Sequence, residues 1–126
     1  MNANLNYEGY ENYLLRRDHF NKYGYEWVQY IFKFDNHYGA SVIKGYSSYG
    51  YYEDLWELAV IEFVDKYEWE LCYLTEITCN DVAGYLTNDE VLVERFVTLC
   101  NDSCIDQIRL MYESLRSVTI WHEKKG

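Results

Sequence analysis

Residues 55–64, LWELAVIEFV, decide the fold. Leu58-Ala59-Val60-Ile61 is apolar without a break, and the run is too short to span a bilayer. Such a stretch reads as a strand covered on both faces, and so as the central strand of a sheet. Upstream, residues 26–35 (EWVQYIFKFD) alternate. Val28, Tyr30, Phe32 and Phe34 point one way, and Gln29, Lys33 and Asp35 the other, as in a half-buried strand. Residues 40–46 (ASVIKGY) form the strand between these two, reached through a short connection at Asn36-His37-Tyr38-Gly39 in which Gly39 is available for positive φ. Residues 69–74 (WELCYL) supply a fourth strand. The expectation is a four-stranded antiparallel meander over residues 26–74.

The flanks carry a different period. Residues 7–22 (YEGYENYLLRRDHFNK) read as a short helix ended by Gly24, with Tyr10, Leu14 and Phe20 inward and Arg16, Arg17 and Asp18 in water. Residues 1–6 are expected to fray. Residues 81–86 read as one helical turn. Thr87-x-x-Glu90 is a capping box ahead of a helix over residues 88–99, with Leu92, Phe96 and Leu99 on one face and Val93, Val97 and Cys100 beside it. A second helix is expected over residues 104–117, closing a helical part at 81–117, and a tail at 118–126. Strands followed by helices predict an α+β domain with the helices packed on one face of the sheet. At 126 residues the chain suits a single domain.

The formal charge is −10, and the chain holds fifteen Tyr and four Trp. That charge repels phosphate backbones and anionic lipid, so neither nucleic acid nor membrane is an expected partner; it favours a basic protein, or serves solubility alone. Acidic residues are dense across the sheet half. Tyr49, Tyr51, Tyr52, Glu53, Asp54, Glu57, Tyr67 and Glu68 make a candidate contact face, the alternative being an ordinary solvated surface. Residues 1–10 have neither a basic leader nor an apolar core, which points to a cytoplasmic protein.

Cys72, Cys79, Cys100 and Cys104 are the only cysteines. Disulfides are the lesser use for a cytoplasmic chain. The C-x6-C and C-x3-C spacings fit a tetrahedral four-thiolate zinc site that would fix the sheet to the helical part. They equally fit four buried thiols packed as small hydrophobes. A site of Cys79, Cys100 and Cys104 with a different fourth ligand is a further possibility. His19, His37 and His122 are dispersed, and no phosphate-binding loop, dinucleotide fingerprint or metalloprotease motif occurs. The expectation is a protein that binds and does not catalyse.

Residues 39–44 (GASVIK), the Tyr49-Gly50 of the following loop and residues 55–60 (LWELAV) resemble a family of small phage-encoded proteins of unassigned activity. The similarity runs over about residues 27–86. It includes the Tyr30-Ile31-Phe32 opening and the Ile77-Thr78 and Gly84-Tyr85-Leu86 close, while the C-terminal part with Cys100 and Cys104 departs from it. A small acidic phage protein is similar in kind to anti-CRISPR proteins, among them zinc-containing inhibitors of Cas9. The resemblance therefore implies action in the cytoplasm of an infected bacterial host. It implies a stoichiometric inhibitor that blocks nucleic-acid loading on the basic nuclease. A phage structural or interaction protein with no anti-defence role is the alternative. No catalytic residue carries over.

Overall fold

The computed structural model describes residues 1–71 and 82–100. They form a mainly antiparallel six-stranded sheet with one short helix. The strands are β1 (Leu14–Lys22), β2 (Tyr25–Lys33), β3 (Tyr38–Gly45), β4 (Trp56–Phe63), β5 (Trp69–Leu71) and β6 (Ala83–Leu86). β1 to β5 lie in chain order, and β6 pairs with β4 as well. Strand β4 is central, as its composition predicts. It pairs with β3 along one edge, and along the other with β5 at Ile61–Phe63 and β6 at Trp56–Leu58. Leu58, Ala59, Val60 and Ile61 are all buried.

The four-strand meander is corrected at both ends. Residues expected to form an N-terminal helix instead make a 3-10 turn (Glu11–Tyr13) and the edge strand β1. The reason lies in Gly24. A glycine of positive φ ends a helix, but it also fills the second position of a two-residue hairpin turn. Tyr23 and Gly24 both take positive φ, 53° and 81°, and Lys22 pairs with Tyr25 across them. Residues 81–86 are likewise no helical turn where described, since Ala83–Leu86 pair with β4. Gly39 keeps a negative φ inside β3, and His37 takes the left-handed turn position instead, at 69°. Gly39 is needed for space: a Cβ there would run into the Phe32 carbonyl oxygen and the Phe63 ring.

The main core lies on one face. Val28, Tyr30, Phe32 and Phe34 from β2 and the following turn, Ala40 and Val42 from β3, and Trp56, Leu58 and Val60 from β4 meet Val91, Phe96 and Leu99. Those three come from a π-helical stretch (Glu90–Phe96) that continues as α1 (Val97–Leu99). The capping box forms as read. Thr87 N–H donates to Glu90 Oε1 and Glu90 N–H to Thr87 Oγ1, each at 3.2 Å. Val93 and Val97 face outward. The expected helix over 104–117 and the tail lie outside the described residues.

Met1–Asn6, expected to fray, is fastened across this core. Leu5 is buried. Tyr30 Oη accepts from Leu5 N–H at 3.2 Å and donates to the Ala3 carbonyl at 3.0 Å. Asn6 and Asn88 exchange two hydrogen bonds of 2.8 Å. Ile31, Ile61 and Phe63 form a smaller cluster on the opposite face, with Leu15 and Trp69 against it.

Candidate functional site

Antiparallel pairing puts the β1–β2 turn and the β3–β4 connection at the same end of the sheet. That end is a rim of tyrosines. Tyr25 and Tyr46, at the start of β2 and just past β3, stack at 4.0 Å between ring centroids with 13° between planes. Tyr51 meets Tyr46 edge-on at 6.0 Å, and Tyr52 meets Tyr51 at 5.3 Å and 72°. Tyr52 is 82% exposed, Tyr49 58% and Tyr85 56%, so these rings stand in water rather than in the core. The Tyr46 hydroxyl, first of several causes, pushes the Tyr52 phenol above its ordinary value; slight desolvation and the Tyr51 and Tyr25 phenols add to it. Four phenols therefore converge on one exposed corner.

The connection that carries these rings is held at many points. Ser48 Oγ donates to the Gly45 carbonyl at 2.7 Å and accepts the Gly45 N–H at 3.0 Å. Gly50, in the left-handed region at φ 102°, accepts from Glu53 and Leu55 N–H at 3.1 and 2.9 Å. Tyr49 N–H donates to Glu57 Oε1 at 3.2 Å, and Tyr85 N–H to the Tyr49 carbonyl at the same distance. A side chain on Gly84 would strike Tyr49 Cβ, so β6 buttresses the loop from behind. Loop ordering is part of the cost of binding, and here much of it is met in the free chain.

Beneath the loop sits a buried cation. Lys44 is 2% exposed. Its ammonium stands 4.1 Å over the Trp56 ring, 3.2 Å from Asp54 Oδ1 and 3.0 Å from the Asn2 carbonyl. Asn2 N–H donates to Asp54 Oδ1 at 2.9 Å. Burial pushes the Asp54 carboxyl up, but the Asn2 N–H and Lys44 outweigh it and hold it below its ordinary value. A buried ammonium is tolerated only when paired in this way. The pairing ties the N-terminal segment to the loop.

The structure divides the eight contact residues read from sequence. Tyr49, Tyr51, Tyr52, Glu53 and Asp54 share the rim, with Glu57 just inside it on β4. Tyr67 and Glu68 lie in the β4–β5 turn, at the far end of β4, roughly 23 Å away at the rise of an extended strand. They belong to a different surface. Conversely, Tyr23, Tyr25, Tyr46 and Tyr85 join the rim from other parts of the chain. Tyr25 and Tyr46 flank hairpin turns at one end of the meander, which is the signal that finds them once strand order is known.

Of the cysteines, Cys72, Cys79 and Cys104 lie outside the described residues. Cys100 is exposed beyond α1, and its thiol is raised by partial desolvation and by Asp35. Asn36 Nδ2 donates to the Leu99 carbonyl at 2.6 Å, placing this helix end beside the β2–β3 turn, opposite the tyrosine rim. Among the described residues no group of three or more His, Cys, Asp or Glu is gathered to hold a metal, and no helix is long and apolar enough to cross a membrane. No protein-family model, curated protein or solved structure matches this chain.

Proposed function

We propose that this α+β chain is a stoichiometric docking protein that grips a basic protein through the tyrosine rim. The observation that carries the reading is the Tyr25–Tyr46–Tyr51–Tyr52 corner, exposed at all but the half-buried Tyr51 and built against a hydrogen-bonded loop. Tyrosine offers large contact area at small rotamer cost and is enriched where proteins bind one another. The acidic chain selects against acidic partners and steers basic ones. With the resemblance to small phage proteins, the proposed partner is Cas9 and the effect a block on nucleic-acid loading, exerted in the infected cell without catalysis. The alternative is a phage interaction protein that touches no defence system.

A cleavage assay with purified Cas9 tests this. Inhibition at near-equimolar ratio, lost in Tyr46→Ala/Tyr52→Ala, supports the reading. No inhibition at molar excess over several Cas9 types overturns the choice of partner, and capture of phage proteins alone from infected cells favours the alternative. A structural zinc held by Cys72, Cys79, Cys100 and Cys104 remains part of the proposal. It would act as a clamp between the sheet and the helical part. Elemental analysis of protein purified without added metal should find one zinc per chain, lost in Cys100→Ser; metal-free protein overturns it.

A further inference from the structure

The described cations share a habit. Among the described residues every Lys and Arg except Arg95 stands over an aromatic ring. Arg16 lies 5.6 Å from the Trp69 centroid and Arg17 5.3 Å from Tyr30. Lys22 lies 5.6 Å from Tyr23 and Lys33 5.0 Å from Phe63. Lys44 lies 4.1 Å from Trp56 and Lys66 5.4 Å from Tyr67. Proteins show such pairs about once in 70–80 residues, so here they are the rule by which positive charge is placed. Apart from Tyr23, which carries Lys22, the rim breaks that rule. None of the described cations stands over Tyr25, Tyr46, Tyr49, Tyr51 or Tyr52, although all of these but the half-buried Tyr51 are exposed. The rim therefore presents ring faces for which the described residues supply no cation.

We propose that those faces take arginine side chains of a protein partner. The assignment rests on the docking reading above and names the chemical group that it grips. A guanidinium is planar and weakly hydrated, so it can lie flat on a ring and keep its N–H fork free for acceptors at its edge. The rim has both parts. The exposed Tyr52 meets the half-buried Tyr51 edge to face at 72°, and the exposed Glu53 follows directly in the chain. A lysine ammonium is a hydrated point charge and gains less from a flat ring. Nucleobases would also stack on tyrosine, but their phosphates need cations. Lys44 is buried against Asp54, and Lys22 faces Tyr23 beside the His19–Glu26 pair. A second copy of the chain brings another −10 charge, and its described cations other than Arg95 are already seated on their own rings.

The test is a titration of the full chain, with tyrosine rings labelled for NMR, against hexa-arginine, hexa-lysine and a dT oligonucleotide. Hexa-arginine should move the Tyr25, Tyr46, Tyr51 and Tyr52 ring signals and bind about two- to fivefold tighter than hexa-lysine, with the ratio kept as salt is raised. Tyr52→Ala and Glu53→Gln should each weaken it by a similar factor, and unchanged thermal melts would show that both variants fold. Equal binding of the two peptides, shifts spread over the acidic surface and indifferent to Tyr52→Ala, a dT complex, or no binding would each overturn the assignment. The two readings fail separately. If Tyr46→Ala/Tyr52→Ala abolishes docking to the basic protein while the peptides are not distinguished, docking stands and arginine falls. If that variant keeps docking, the rim itself is wrong.

Discussion

Tyr30 and Tyr52 are the same residue in two opposite settings. Tyr30 is buried, and its hydroxyl is fully used: it accepts from Leu5 N–H and from Arg17 Nε at 2.9 Å, and donates to the Ala3 carbonyl. Tyr52 is exposed, on a loop whose backbone is held, and its side chain meets the Tyr51 ring and the Tyr46 hydroxyl. Tyrosine count alone cannot separate these uses. A core tyrosine satisfies its polar tip inside the fold, whereas the rim tyrosines spend scaffold hydrogen bonds to hold rings in water. If that contrast is correct, stability and docking should respond to different tyrosines.

The largest effect belongs to the core side. Phe96 is fully buried, with Tyr10, Phe32 and Phe34 edge-on at 5.1, 4.7 and 5.3 Å. It joins the helix to both the sheet and the N-terminal segment. Phe96→Ala should lower the unfolding free energy by about 3–5 kcal/mol in urea titrations. A cost near that of a surface change would mean that the helix does not close the core. Next comes Tyr30→Phe, which keeps the ring and removes the hydroxyl. Leu5 N–H and the Ala3 carbonyl then lose their partner, at a cost of about 1–3 kcal/mol. Amide exchange should quicken at Leu5 before it quickens in β3 or β4. Uniform quickening would show that the N-terminal segment is no separate unit.

These two sites also mark what could be read from the residues. Strands β2, β3 and β4 were legible because burial on one or both faces writes itself as alternation or as an apolar run. Strand β1 was not, because as an edge strand it buries so little that Leu14–Lys22 carries no period, and its turn glycine fits a helix end equally well. The strap was hidden for a related reason. Met1–Asn6 buries only Leu5 in the core, with Ala3 packed against it, and is otherwise attached by hydrogen bonding to Tyr30, Asn88, Lys44 and Asp54, which leaves no trace in hydropathy. The rim was half legible. Tyr49 to Asp54 are neighbours in sequence, but Tyr25, Tyr46 and Tyr85 come together only through antiparallel pairing, and that same pairing sends Tyr67 and Glu68 to the other end.

A smaller effect lies where strap and rim meet. Asp54 is held below its ordinary pKa, so its contribution to stability is present above the unfolded value of about 3.9 and is lost as pH falls through the lower folded value. Half-exposure screens the interaction and keeps it below about 1 kcal/mol. The stability difference between the native chain and Asp54→Asn should therefore be flat from pH 7 to about pH 5 and shrink below about pH 4. A difference that grows on acidification would reverse the sign and remove Asp54 as the link between Asn2 and Lys44.

The smallest change in stability is the most telling. Tyr52 buries little and caps nothing, so Tyr52→Ala should shift the unfolding free energy by no more than about 0.5 kcal/mol. Its ring nevertheless completes the corner with Tyr51, and its loss should weaken docking far more than it weakens the fold. Tyr30→Phe should do the reverse, lowering stability while docking of the folded fraction stays intact. Measuring both quantities on both variants makes a two-by-two test. Crossed losses separate the two kinds of tyrosine. If Tyr52→Ala costs as much stability as Tyr30→Phe, the rim is a second core, and its exposed rings serve the fold after all.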